Sequence, residues 1–410
     1  MKIDESQLAN WYDNQIRVGL DSYPVIKPKD HTMGRSLLRY IKKAIPFEIL
    51  DKIIVNEDII EIHGIFDGHM EIVKQKQGWN NVEYVWGIQK PERIFKSQYP
   101  RLYLVRKGSQ QFFILTVFPG KDYVDHNAAL IRNYIERKKP GLSNKILKVF
   151  RYPSIEDTVY IWTGIKESNV LKHGDVVLIG YAGIVDELYL HGLDVCDVQS
   201  NKMFKWIFLR NKQNRRILYF GFDYIYWGSI IGRIARGFYE DGAKLVIHIA
   251  NLGSCREPED VGSSIFIPMI FMRIETRGSI EFVPIQWNPI LQLNWDYNSG
   301  IHACVRSPLD ETYEPFRKVV TRIGATSVET EAFHIEEAAK EVNQERKNIN
   351  KVGFSGIYFA TDYVRKPYEK ISLTLTKKAK VRRIRKIMLP YCARIVAEYL
   401  NTLTDTPEAE

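Results

Sequence analysis

Two short acidic segments stand out for the chemistry they can do. Val328-Glu329-Thr330-Glu331-Ala332 places two carboxylates where an apolar run passes into a helical pattern, and Ala360-Thr361-Asp362 closes another apolar run. An ionised carboxylate accepts two hydrogen bonds and suits a pair of hydroxyls. A carboxyl group whose pKa is raised by partial burial at a strand end can donate a proton as a general acid. Each segment also has a plainer reading. Aspartate is a favoured N-cap, and glutamates in a first helical turn complement the helix dipole. Alternation across the junction turns only one of Glu329 and Glu331 inward.

Two glycine-bearing stretches could bring backbone close to a ligand. One is Gly180-Tyr181-Ala182-Gly183, with Asp186 and Glu187 shortly after it. The other runs from Gly242 through His248, Asn251 and Gly253 to Ser254. His248 is read either as a pocket residue or as a strand histidine satisfied in the core. Tyr224, Trp227 and Phe271 are candidates to stack on a flat ring, with core packing as the alternative. Arg233 and Arg256 are the nearest cations, and solvated surface charge is their plainer reading.

The elements that must position these residues follow from periodicity. Residues 36–41 have helical spacing, 52–55 and 59–62 read as strands, and strand signals recur at 83–86, 102–105 and 112–118. These predict an antiparallel sheet in a small α+β domain, 1–150. Residues 127–137 read as a helix that stops at Lys139-Pro140-Gly141. A connecting segment, 151–173, follows. From 174 to 405 strands and helices alternate: strands at 175–180, 217–220, 243–249, 325–328 and 356–360, helices at 230–239 and 331–342. This alternation predicts an α/β domain with a mixed, largely buried central sheet flanked by helices.

Taken in order, Gly228-Ser229-Ile230-Ile231-Gly232-Arg233 with the 242–254 stretch, then Val328–Ala332, then Ala360–Asp362 resemble the nucleoside phosphorylase/nucleosidase superfamily. That superfamily holds the trimeric and hexameric purine and uridine phosphorylases and the methylthioadenosine nucleosidases. The 242–254 stretch resembles its "ALGAK"-type strand and glycine turn, Val328–Ala332 its V-E-M-E-A, and Ala360–Asp362 its S-D. The resemblance covers about residues 174–400. It implies a phosphorylase-like domain that cleaves an N-glycosidic bond of a purine nucleoside or nucleotide. Asp362 then protonates the purine ring nitrogen, Glu331 clamps the ribose hydroxyls, and Glu329, Thr330, Gly180, His248, Asn251 and Gly253 line the site. Thr330 replaces the family's methionine. The arginines that phosphorylases place in R-x-G-[ST]-x-G and after their first glycine turn have no counterpart here. Loss of that bidentate anion clamp favours water over phosphate as nucleophile, with Asp186 or Glu187 to orient it. Phosphorolysis and a degenerate, non-catalytic nucleotide sensor are the competing readings. Relatives with an added domain act as nucleotide-depleting effectors of bacterial antiviral immunity, which makes an ATP-type substrate an expectation. The family is usually oligomeric, so a homo-oligomer is expected, and no cofactor or metal.

Bulk properties fit this frame. At 410 residues, two domains are the natural prior, and 45% hydrophobic content suits a globular chain. Cys196, Cys255, Cys304 and Cys392 are scattered and form no C-x-x-C pair, which points to free thiols rather than a zinc site. No secretory signal or bilayer-spanning run is visible, so a cytoplasmic location without membrane association is expected. A net charge of +9 favours anionic ligands. Between Lys377 and Lys386 the run KKAKVRRIRK carries seven basic residues. Nucleic-acid or polyphosphate docking is its functional reading, and a solvated face of a last helix is the favoured one.

Overall fold

Apolar runs become strands in both halves of the chain, and the sheets they form differ in kind. The structure, a computed structural model, describes residues 9–23, 25, 38, 41–42, 45–66, 69–87, 100–181, 183–200, 204–222, 228–274, 280–312, 314–347, 350–364 and 378–404. They divide into two compact units. One runs through Val159 and takes in Gly228–Ile230, and the other holds the remainder from Tyr160 on. The division falls within the stretch read as a connector, which carries helical turns at Pro153–Thr158 and Ile165–Ser168.

The first unit is built on a six-stranded sheet: β1 (Ile16–Arg17), β2 (Ile60–Gly64), β3 (Asn81–Gly87), β4 (Arg101–Lys107), β5 (Gln110–Val117) and β6 (Leu147–Arg151), in the order β1-β6-β2-β5-β4-β3. The antiparallel meander β3-β4-β5 agrees with the sequence. The sheet as a whole is mixed rather than antiparallel, because β2 runs parallel to both β5 and β6. Parallel neighbours need a crossover, and the helix Lys121–Lys138 supplies the return to β6. Residues 52–55 are a second correction. They lie in a helix, α1 (Phe47–Asn56), with Leu50, Ile53 and Ile54 buried at three-to-four spacing and Val55 78% exposed. A four-residue window reads as strand; the ten-residue window has a helical stripe. Of residues 36–41, only Leu38 and Ile41 are described, so that helix lies mostly outside the described residues.

The second unit has ten strands: β7 (Val176–Gly180), β8 (Asp194–Ser200), β9 (Phe204–Arg210), β10 (Arg216–Phe222), β11 (Leu245–Ser254), β12 (Ile265–Ile274), β13 (Ile280–Pro284), β14 (Asn298–Cys304), β15 (Ser327–Glu329) and β16 (Gly353–Tyr363). Their order is β13-β12-β14-β15-β11-β7-β10-β9-β8, with β16 paired to β11 and β12. The sheet is mixed, and helices flank it. These are α2 (Ile184–Leu190), α3 (Ser229–Glu240), α4 (Glu314–Ile323), α5 (Ala332–Glu345) and α6 (Lys378–Leu400). The α/β class with a mixed central sheet is therefore as the sequence predicts. Alternation sorts the two faces. Ile247 and Ile249 of β11 and Ile357 and Phe359 of β16 pack with Met388, Cys392 and Val396 of α6. His248 and Tyr358 turn to the opposite face.

Candidate active site

The acidic segments meet because of how three strands pair. Gly253, near the end of β11, is the register partner of Val328 on β15 and of Asp362 on β16. The pairing of β11 with β16 slips between Leu252 and Gly253. A side chain at Gly253 would collide with Val364 and come within 3.2 Å of Val328. The glycine is what lets the two acid-bearing strands sit on either side of β11.

Glu329 ends β15 and turns back to cap α5. Its Oε2 accepts the backbone N–H of Glu331 and, at 2.6 Å, that of Ala332. The sequence allows a solvated first turn for both glutamates, with only one turned inward; instead Glu329 is buried, Glu331 is half-buried, and each perturbs the other. Glu329 Oε1, though buried, has no hydrogen-bond partner among the described residues. Glu331 takes the non-helical N-cap position, and its Oε2 accepts the Thr330 N–H at 3.2 Å. Thr330 is itself buried. Asp362 is 5% exposed, and its Oδ1 accepts the Thr361 hydroxyl at 3.2 Å. A fourth carboxyl, Glu311, comes from the single turn Asp310–Thr312 and is also buried.

These four groups perturb one another. Burial first, and then the charges of Asp362, Asp310, Glu331 and Glu329, push Glu311 well above the usual carboxylate range. Burial and the neighbouring Glu329 do the same to Glu331. Burial raises Glu329 too, against the stabilising amides of Ala332 and Glu331. Burial lifts Asp362 to about 7, despite the Thr361 hydroxyl. Like-charged carboxyls in a desolvated site cannot all ionise, so the cluster retains protons at neutral pH. Strongly perturbed, buried acids of this kind are a signature of functional sites.

Beneath the cluster lies Tyr358, whose hydroxyl is raised by burial and then by Glu329 and Glu331. His248 Nδ1 is 3.0 Å from the Tyr358 hydroxyl, and the His302 ring centroid is 5.2 Å from that of Tyr358. Burial lowers both histidines to about 3, so both are neutral. His248 is therefore a core histidine satisfied by tyrosine. Phe271 is also core, edge-on to His302 and tilted against Phe354.

On the other sheet face the glycine turn after β7 contributes Tyr181. Its hydroxyl donates to Asn251 Oδ1 and accepts from Arg385 Nη2 at 2.9 Å, while the guanidinium stacks 4.2 Å from the ring centroid. Asn251 Nδ2 in turn donates to Thr361 Oγ1 at 3.2 Å, beside Asp362. Burial raises the Tyr181 hydroxyl, with Glu331 among the lesser causes. Gly180 makes the turn possible, with φ at 147° and no room for a Cβ against the Ile249 carbonyl.

The structure thus joins Glu329, Thr330, Glu331, Asp362, Asn251, Gly180 and Gly253 around one strand end. Asp186 is exposed and Glu187 half-buried on the first turn of α2, and no described contact links either to the carboxyls. Arg233 and Arg256 are exposed. Tyr224 and Trp227 lie outside the described residues. Sequence reasoning passed over Glu311, Tyr358 and the inward turn of Arg385. Only Arg385 left a trace, flanking the buried positions Ile384 and Met388 on one helical stripe.

Solved structures similar to this chain include the 5′-methylthioadenosine nucleosidase of Arabidopsis thaliana, at 13% identity over 57% of this chain and 98% of that one, with a TM-score of 0.43. A 5′-methylthioadenosine/S-adenosylhomocysteine nucleosidase from Neisseria meningitidis matches at 16% identity over 56% and 99%, with a TM-score of 0.39. A futalosine hydrolase from Helicobacter pylori matches at 12% identity over 56% and 100%, with a TM-score of 0.39. No family model matches the chain. Among curated proteins, the chain is 23% identical over 396 residues to one named Oxidoreductase cns1 of the fungus Cordyceps militaris, covering 93% of this chain and 50% of that protein. The chain spans about half the length of this curated relative.

Proposed function

We propose that this chain is a nucleosidase that hydrolyses the N-glycosidic bond of a purine nucleoside or nucleotide. The observation that carries the reading is Asp362, a buried carboxyl lifted to about 7 beside the buried Glu329 and Glu311 and the half-buried Glu331 at the end of β11. A carboxyl that still holds its proton near neutral pH can deliver it to a purine ring nitrogen as the C1′–N bond breaks, neutralising the charge that develops on the base. Glu331 accepts hydrogen bonds from the ribose hydroxyls, which favour its ionised form against the repulsion of Glu329. Water adds to C1′ on the face opposite the leaving base, oriented by a hydrogen bond to the Glu311 carboxyl, and its proton passes to solvent. Glu311 takes the role first considered for Asp186 and Glu187, because it is buried among the acids and they are not. The balance closes without a co-reactant: one water is consumed, and free base and a ribosyl product leave.

The test is base release from ATP, AMP, adenosine and inosine by the purified chain, with and without phosphate. Release without phosphate supports the reading. No release from any of the four, or release strictly dependent on phosphate, overturns it. A nucleotide-depleting role in antiviral defence is the finer proposal. It is tested by comparing the growth of cells expressing wild type and Asp362→Asn, and equal toxicity overturns it.

A further inference from the structure

At the opposite ends of the central parallel strands lies a cavity of about 400 Å³ that the reaction above does not use. It is lined by His173, Lys244, Trp287, Arg346, Asn350 and Lys351, together with Gly242, Ala243 and Val352. Each of β7, β11 and β16 is preceded by some of these residues, and backbone hydrogen bonds zip the three approaches together. Gly174 N–H donates to the Gly242 carbonyl at 2.8 Å, Lys244 N–H to that of Asp175 at 2.8 Å, and Gly353 N–H to that of Lys244 at 2.9 Å. Gly353 leaves room for the Trp287 ring, which a Cβ there would strike. The Lys244 ammonium is 5.6 Å from the Trp287 centroid. Arg346 is oriented by its Nη2–H, which donates to the Tyr239 carbonyl at 2.7 Å.

The charge around this cavity is one-sided. Among the described residues its lining contains no carboxylate, and acids on the surrounding elements are engaged elsewhere, Glu336 accepting the Gln286 N–H at 3.1 Å. Asp175 pairs with Arg216 at 2.6 Å. Asp241 accepts the Tyr160 hydroxyl at 2.8 Å. Glu240, Glu341 and Glu345 all bind Arg236. Lys244, Arg346 and Lys351 have no carboxylate partner among the described residues. Like charges gathered in a concavity focus a positive potential, which the fold tolerates most cheaply when an anion neutralises it. Phosphate oxygens match such a set, because lysine serves as a point charge and arginine as a planar fork.

We propose that this cavity is an anion site for a small polyphosphate, either free or as the tail of a nucleotide whose base lies along Trp287. It stands at the pole of the sheet remote from the carboxylates, and is separate from the proposed catalytic reaction. The full chain is titrated calorimetrically with inorganic tripolyphosphate and, in parallel, with a non-hydrolysable ATP analogue, using wild type, Lys244→Glu/Lys351→Glu, Lys244→Arg/Lys351→Arg and Glu331→Gln. Tripolyphosphate binding that falls at least tenfold in the Glu pair, persists in the Arg pair and is unchanged in Glu331→Gln supports the site. Tighter binding of the nucleotide than of tripolyphosphate, reversed by Trp287→Ala, identifies the nucleotide as ligand; equal binding identifies the free polyphosphate. Absent tripolyphosphate binding, binding indifferent to the charge reversals, or binding lost in Glu331→Gln overturns it. Absence of base release from the wild type, with this binding intact, sinks the catalytic reading alone.

Discussion

Asp362 gives the sharpest expectations at the scale of single residues. If its proton is the one delivered to the base, kcat/KM falls as pH rises through about 7, the value to which burial lifts it. A rate that climbs through that range instead removes Asp362 from the role of acid. Asp362→Asn is expected to lower base release by roughly 10²–10⁴-fold, the usual contribution of a general acid. Glu311→Gln should slow single-turnover hydrolysis while leaving nucleoside affinity within about threefold, since it acts on the water and not the sugar. The same crowding has a stability signature. The folded pKa of Asp362 lies above the unfolded one, so the native state binds more protons between the two, and stability falls as pH rises from about 4 to about 7. Asp362→Asn removes that loss, and chemical denaturation at pH 8 should find the variant more stable than wild type by roughly 1–2 kcal/mol. The acids of the two motifs were singled out by the family motifs they resemble. Glu311 was not, because a lone glutamate in a three-residue turn acquires its meaning only from burial.

Among elements, the turn between β7 and α2 and the last helix decide how the site is framed. Gly180→Ala forces a positive-φ alanine whose Cβ meets the Ile249 carbonyl, and should cost roughly 2–4 kcal/mol of unfolding free energy. A loss under about 0.5 kcal/mol contradicts that geometry. Arg385 ties α6 to Tyr181, and through it to Asn251 and Thr361. Arg385→Ala is expected to weaken kcat about tenfold by loosening this frame, whereas Arg382→Ala, an exposed neighbour in the same basic run, leaves it unchanged. In the second unit β7, β10, β11, β15 and β16 and the helices at 230–239 and 331–342 were readable, because apolar runs and 3.6-residue stripes coincide there with burial. By contrast, β8, β9, β12, β13 and β14 were not read as strands. In the first unit the local pattern at 52–55 misled, since four β-branched and basic residues look alike in a strand and on a helix until Leu50 is counted. Parallel pairing of β2 with β5 and β6 depends on which strands become neighbours, and no short window contains that.

For the whole molecule, the carboxylates and the basic cavity occupy opposite ends of the same parallel strands, a polarity the net charge of +9 conceals. The missing phosphate-binding arginines predict that added orthophosphate leaves the rate of base release unchanged within about twofold, which a steady-state assay decides. The basic run after Lys377 looked uniform in sequence, yet Arg385 faces inward while Arg382, Arg383 and Lys386 face water. All eleven residues of β16 are buried, and the strand is zipped to β11 from Gly353 to Tyr363. Its amides are thus shielded from solvent until the second unit opens as a whole. Deuterium uptake along 353–363 therefore serves as an internal gauge of global unfolding, and Asp362, the proposed proton donor, rides on that strand.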